Sequence, residues 1–271
     1  MIRFKLKFVF IYLVFKISAF GVGLLPVHNI QGGLLGGVCL SHLGNSYAAF
    51  YNPAIVPFLD QHTNMLGIYK PFQMPDMQNS YLEIFVPLGR TKIPVHYNML
   101  MADRYRESHF SAGYGKKIMD NISLGAQMNG YFVSVSRYGS YTGAGLDLGF
   151  AARLHPRLQT GVVVSNLFTY EEAGVKMDLK PAMKMEVSYY PVEKSSVSVQ
   201  VNQNFFHGFG YGFSVFHRMN RSFTVNFGLQ PVDDIWSGGF LLQLKKVSVL
   251  YGLHLHPVLE ETHLIGFNFL W

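Results

Sequence analysis

Eleven histidines raise the question of a metal, and His254, His256 and His263 stand closest together along the chain. His254 and His256 are two apart, so on an extended strand they share one face, as a pair of ligands would. His263 falls on the opposite face of its own strand and supplies no third ligand. The expectation is therefore no metal site, with these histidines standing where strands end. A hydrolytic Ser and His on neighbouring strands is a further possibility in sheet proteins, but the spacing nominates no pair. Glu83, Asp147, Arg153, Lys184 and Glu186 are the charges that strand alternation turns inward, and they are expected to pair with one another. No GxSxG, P-loop, GxGxxG or HExxH motif is present. Cys39 is the single cysteine, which excludes an internal disulfide and reads as a small buried residue. No catalytic residue, cofactor or metal is expected, and the chain reads as a non-enzyme.

The elements that would position such groups are strands. The chain has 271 residues, of which 14% are charged and 15% aromatic, with 27 glycines. Charged residues usually make up about a quarter of a globular protein. The apolar content is spread along the chain rather than gathered in blocks of about twenty residues, which is the composition of a transmembrane barrel. Residues 17–59 carry no Asp, Glu, Lys or Arg, but Pro26, Pro53, Pro57 and paired glycines would break a spanning helix there.

The net charge is +6, and four of its positive charges, Arg3, Lys5, Lys7 and Lys16, lie in the first twenty-one residues. That basic start, the apolar run from Phe8 to Phe20 and small residues at Ala19 and Gly21 predict a signal peptide over 1–21. Without it the net charge falls to +2. No basic cluster interleaved with aromatics remains, which argues against nucleic acid.

From His62 onward the period is two. Fourteen candidate strands are predicted: 62–70, 80–88, 92–101, 109–117, 121–135, 143–155, 158–167, 181–191, 196–206, 208–217, 222–230, 238–246, 247–256 and 262–271. Phe223, Val225, Phe227 and Leu229, for example, alternate with Ser222, Thr224, Asn226 and Gly228. The polar faces are built from Gly, Ser, Asn and Gln rather than Lys and Glu. The last strand, Thr262 to Trp271, puts Ile265, Phe267, Phe269 and Trp271 on one face and ends on an aromatic, as a barrel-closing strand does at a bilayer interface. The predicted fold is all-β, an antiparallel transmembrane β-barrel of about fourteen strands over 62–271. Prolines at 71, 75, 87 and 94 blur the strand edges within 62–117.

Residues 22–61 form a glycine-rich N-terminal segment, uncharged over 32–58 yet holding Leu34, Leu35, Leu40, Leu43, Phe50 and Tyr51. Such a segment needs burial, and it is predicted to plug the barrel. Gly36 and Gly37 provide tight backbone, Ser41 is placed to cap a short helix through Ala48 and Ala49, and Asn52-Pro53-Ala54 forms the turn into the first strand.

The run Gly-Gly…Ser-x-x-Gly-Asn-Ser-x-Ala-Ala-Phe-Tyr-Asn-Pro-Ala, Gly36 to Ala54, resembles the N-terminal signature of the PorV/PorQ-like and FadL-like outer-membrane proteins. Gly-Leu-Gln-Pro (228–231), Ser-Gly-Gly-Phe (237–240), His-Pro-Val-Leu (256–259) and Thr-His-Leu-Ile-Gly-Phe (262–267) add to the likeness, which covers about a third of the chain. The resemblance implies a fourteen-stranded barrel in the bacterial outer membrane with an N-terminal segment in its lumen. Two functions follow from it. One is an accessory or scaffold subunit of the type IX secretion system, with outer-membrane lipid and other secretion subunits as partners. The other is a FadL-like transporter with a hydrophobic ligand in the lumen. Polar lumen faces and short loops favour the first.

Overall fold

The computed structural model describes residues 30–89, 91–171, 179, 181–204, 208–231 and 235–270. The signal segment expected at 1–21 and the terminal Trp271 lie outside these residues. Fourteen strands follow one another: β1 (Thr63–Tyr69), β2 (Met77–Leu88), β3 (Thr91–Ala102), β4 (Tyr105–Met119), β5 (Ile122–Val135), β6 (Gly139–His155), β7 (Leu158–Glu171), β8 (Ala182–Val192), β9 (Ser195–Asn204), β10 (Gly208–Arg218), β11 (Phe223–Gln230), β12 (Ile235–Leu244), β13 (Val247–Leu255) and β14 (Thr262–Leu270). Each pairs antiparallel with its neighbours in sequence, and β1 pairs with β14, so the sheet closes on itself. Among the described residues no helix is long and apolar enough to cross a membrane. The wall is made of strands alone.

The polarity of that wall is inverted relative to a soluble sheet. Phe227, Ile265, Phe267, Phe269, Val197 and Val199 are exposed on the outside, while Asn226, Asn268, Ser196, Ser198 and Gln200 are buried inside. Closure gives every strand a partner on both sides, the condition for backbone amides to sit in hydrocarbon without water. Several strands run past their expected ends. β4 starts at Tyr105 rather than 109, and β6 at Gly139 rather than 143. Toward the rim of a barrel a strand needs no apolar outer face, so the alternation that marks it in sequence fades before the ladder does.

The prolines within β2 and β3 are accommodated where one flank of a strand is free. The β3–β4 ladder ends at Val95↔Ala112. Thr91 to Pro94 pair with β2 alone, and Gly113 to Met119 pair with β5 alone. Pro94 has no N–H to offer β4, so the ladder stops beside it. The wall is therefore split between β3 and β4 toward the end where β2 gives way to β3 and β4 to β5.

Residues 30–62 precede the first strand and lie inside the barrel. They contain a helix at Ile30–Leu34, a single helical turn at Ser46–Ala49 and a 3-10 turn at Pro53–Phe58. Ile30, Leu34, Leu35, Ala48, Ala49 and Ile55 pack with Met65, Tyr81, Phe85, Leu250 and Leu264 of the wall into one apolar cluster. The Asn52-Pro53-Ala54 run does not lead directly into β1, as the sequence suggested. Asn52 instead caps the 3-10 turn, accepting from Ala54 N at 3.1 Å, and that turn comes between it and the first strand. Ser41 is likewise not a helix cap; Asn45 holds that position with no side-chain bond, and Ser41 turns toward the wall.

Candidate functional site

A polar lumen accepts a buried segment only if both sides satisfy each other's hydrogen bonds. Glu186 on β8, fully buried, does most of this at one point. Its carboxylate accepts from Leu40 N at 2.7 Å, Ser41 N at 3.2 Å and Ser41 Oγ at 2.8 Å. Ser188 and Ser198 extend the network, with hydroxyls 2.6 Å apart. His42 lies between Tyr47 OH, 2.6 Å from Nδ1, and Ser198 Oγ, 2.9 Å from Nε2. Burial pushes the His42 pKa down to about 4, and the Glu186 carboxylate 3.7 Å away does not offset it.

Asn52 is the second anchor. Its Nδ2 donates to the carbonyls of Leu40 and Phe150, each at 3.0 Å, so one amide joins two stretches of the inner segment's surroundings. Further contacts ring the lumen. Leu43 N donates to Gln159 Oε1 at 2.9 Å, Ser214 Oγ to Val38 O at 3.0 Å, and Asn268 Nδ2 to Gln31 Oε1 at 3.1 Å. Ser123 Oγ donates to Ala54 O, and Gln230 Nε2 to Gly36 O. Gly36 and Gly37 have φ of +61° and +73°, a left-handed conformation that costs an L side chain.

Glycines in the wall let the segment come close. Gly115, Gly125 and Gly149 are direct register partners across β4, β5 and β6. A Cβ on Gly125 would lie 2.5 Å from Ala54 N, and Cβ atoms on Gly115 and Gly149 would strike the Pro53 carbonyl and the Asn52 amide. These three positions form a side-chain-free track in which Asn52–Ala54 lies. The proposed plug residues Asn52, Pro53 and Ala54 thus meet at one place. Gly36 and Gly37 are elsewhere, against β11, where Gly228 is equally close to Leu35 and Gly36.

Three of the inward carboxylates are held by groups other than the inward cations. Glu186 is satisfied by the inner segment, Glu83 lies 3.0 Å from His96, and Asp147 accepts from Asn166 N at 2.8 Å. Arg153 reaches the end of the barrel and stacks over Phe58. His254, His256 and His263 stand, as expected, where β13 ends and β14 begins. His42, His96 and His109 are buried, and His254 donates to Gly33 O at 3.0 Å from inside the lumen. His263 faces outward beside Tyr251, 2.7 Å from its hydroxyl, so the C-terminal three do not converge. No group of three or more His, Cys, Asp or Glu side chains is gathered as a metal site among the described residues. Cys39 is fully buried.

A cavity of about 350 Å³ opens where β1 begins and β14 ends. Tyr47, Met65, Phe216 and Leu241 line it alongside Thr224 and Asn268, with Arg218, Arg221 and Lys245 at its mouth. It does not connect to the β3–β4 split through any residue of its lining, since none belongs to β3 or β4.

No family profile matches the chain, and no curated protein is similar to it in sequence. Solved structures are similar in fold. The toluene transporter TodX of Pseudomonas putida superposes with a TM-score of 0.65 at 10% identity, over 93% of this chain and 99% of TodX. The CymD monoaromatic hydrocarbon channel gives 0.57 at 12% identity, over 94% of this chain and 98% of its own. A FadL homologue of Pseudomonas aeruginosa gives 0.56 at 11% identity, over 94% and 99%. The fold is that of the FadL-like barrels.

Proposed function

We propose that the protein is an outer-membrane channel for a small hydrophobic molecule, held shut by residues 30–58. The observation that carries this reading is the split between β3 and β4 at Pro94, backed from inside by Pro53–Phe58. An apolar solute crosses a barrel wall only where backbone groups do not form a continuous ladder, and it leaves only if whatever lies behind the gap moves. Two of the similar folds are a toluene transporter and a monoaromatic hydrocarbon channel, and toluene is the first solute to test. In this reading the signal peptide at 1–21 directs the chain outward, Asn52, Pro53 and Ala54 seat the plug, and Phe267, Phe269 and Trp271 face lipid. The test is toluene entry into proteoliposomes holding the purified barrel. Entry faster than into empty vesicles supports the reading, and equal rates overturn it.

One observation favours a second reading, an accessory subunit of a type IX secretion complex. The described lumen is filled over much of its length by the inner segment, as a scaffold needs and an open pore does not. None of the similar structures named above points to that branch. Pull-down from detergent-solubilised outer membranes, with mass spectrometry of the captured proteins, separates the two: secretion subunits at stoichiometric yield support the scaffold.

A further inference from the structure

Two buried histidines on adjacent strands carry nitrogens with no hydrogen-bond partner among the described residues. His96 on β3 is 3% exposed and His109 on β4 is 7% exposed, and both face the lumen. His96 Nδ1 lies 3.0 Å from Glu83 Oε1 on β2, and a carboxylate can only accept, so that nitrogen carries the proton. His109 Nε2 lies 3.1 Å from Asn129 Oδ1 on β5, an oxygen that also accepts from Gln127 Nε2, so Nε2 carries the proton there. The neutral rings are therefore left with bare lone pairs on His96 Nε2 and His109 Nδ1, and both atoms are buried without a hydrogen-bond partner. The strand order adds direction. Glu83 and Asn129 stand on the outer strands of the four, β2 and β5, and draw the protonated nitrogens outward. The bare nitrogens belong to the inner sides of the pair.

We infer that His96 and His109 form a lumenal site for a late first-row transition-metal ion, Cu²⁺ or Zn²⁺. Metal–imidazole bonds are about 2.0–2.1 Å long, so an ion in the plane of a ring lies about 3.2 Å from its centre. Ring centres 5.5 Å apart then subtend about 120° at a shared ion, within the range of tetrahedral and trigonal sites. Glu83 and Asn129 act as the outer partners that orient metal-binding imidazoles. Tyr131 stacks on His109 at 4.8 Å and fixes its plane. Water fills the remaining positions, and the buried carboxylates of Glu83, Glu107 and Asp147 on the same inner wall balance the charge. Imidazole nitrogen suits both ions, and Cu²⁺ is the tighter in the usual order. The site lies on the paired part of β3 and β4, just past the end of the split, and away from the cavity at the barrel end; it needs no solute to pass the wall, so it stands whether or not the channel reading does.

The experiment is titration of Cu²⁺, and separately of Zn²⁺, into the folded barrel purified in detergent without a polyhistidine tag. One equivalent binds, and the copper form shows two nitrogen ligands by electron paramagnetic resonance of the wild-type protein. His96→Gln and His109→Phe weaken binding at least tenfold, Glu83→Gln weakens it about 10–100-fold, and the exposed His155→Ala leaves it unchanged. Folding of each variant is read from its mobility in unheated gels. A wild-type copper spectrum lacking two nitrogen ligands, no saturable binding, or equal binding by the folded His96→Gln and wild-type proteins overturns the site.

Discussion

The Asn52 side chain donates to the Phe150 carbonyl at 3.0 Å, across 98 residues of chain, and ties the inner segment to β6. The same amide holds Leu40 O and accepts from Ala54 N, so Asn52→Ala removes three bonds at once. Each orphaned buried partner costs about 1–3 kcal/mol. The barrel still assembles, because none of its ladders uses this side chain, but the inner segment loosens. Cys39, fully buried in the wild type, is the reporter. Maleimide labelling of the folded protein is slow in wild type and at least tenfold faster in Asn52→Ala. Equal rates would mean that Asn52 does not hold the segment.

The glycine track gives a sharper way to displace the same segment. Gly125→Leu and Gly149→Val place side chains where Ala54 and Asn52 now lie, while outward-facing apolar residues stay untouched. Both variants are expected to migrate as folded barrels and to leak small sugars in liposome swelling assays. Gly130→Ala serves as a control, since its Cβ meets nothing closer than 4.0 Å. Leak from the control and not from the other two would overturn the placement of the track.

Facing on the wall is testable with one strand. Phe227 is exposed on the outside of the barrel near the middle of β11, and, if the barrel lies in a bilayer as proposed, Phe227→Arg should cost about 2–4 kcal/mol of folding free energy. Thr224 on the same strand points into the cavity at the barrel end, and Thr224→Arg should cost under about 1 kcal/mol. Urea titration of the two variants, refolded into vesicles, measures the difference.

Acid should loosen the inner segment. Burial holds the His42 pKa down at about 4, against an ordinary 6.5. A displaced segment therefore takes up a proton on His42 that the seated one refuses, so the His42 contribution to seating is constant above pH 6.5 and falls as pH drops from 6.5 to 4. The full effect is about 3 kcal/mol. Solute leak should rise over that window in wild type and much less in His42→Gln, which keeps a polar side chain beside Ser198. Identical profiles in wild type and His42→Gln would mean His42 is not what seats the segment.

The strands were legible because alternation is a local property, and inversion of the barrel's polarity does not change its period. Phe223 to Leu229 reads the same from either side, and it was the signal peptide, polar faces built mainly from Gly, Ser, Asn and Gln, and the even strand count that favoured a barrel over a sandwich. What alternation could not give was partners. Ser41 carries a helix-capping residue type in a capping position, yet its hydroxyl goes to Glu186, 145 residues away. Glu83, Asp147 and Glu186 were correctly turned inward, but the groups that satisfy them are backbone amides and a histidine that no spacing rule connects to them. Asn52 was marked by its place before Pro53 as a turn residue. Its larger part, three bonds through one buried amide, depends on β6 lying beside it, and Pro94 ending the β3–β4 ladder depends likewise on which strand flanks it.

The hydrogen bonds of residues 31–54 reach β5, β6, β7, β8, β9, β10, β11, β13 and β14, and the seam between β1 and β14 locks with Thr63 against Leu270. A finished cylinder offers no way to slide a segment in from the side and wrap nine strands around it. The chain must therefore lay residues 30–58 against an open sheet and curl the strands over them, leaving the seam until last. Order of events is thus written into the connectivity: whatever machinery joins the first strand to the last does so on a sheet that already holds its contents, and a variant that seats the segment poorly should stall as an unsealed sheet before it ever becomes a leaky pore.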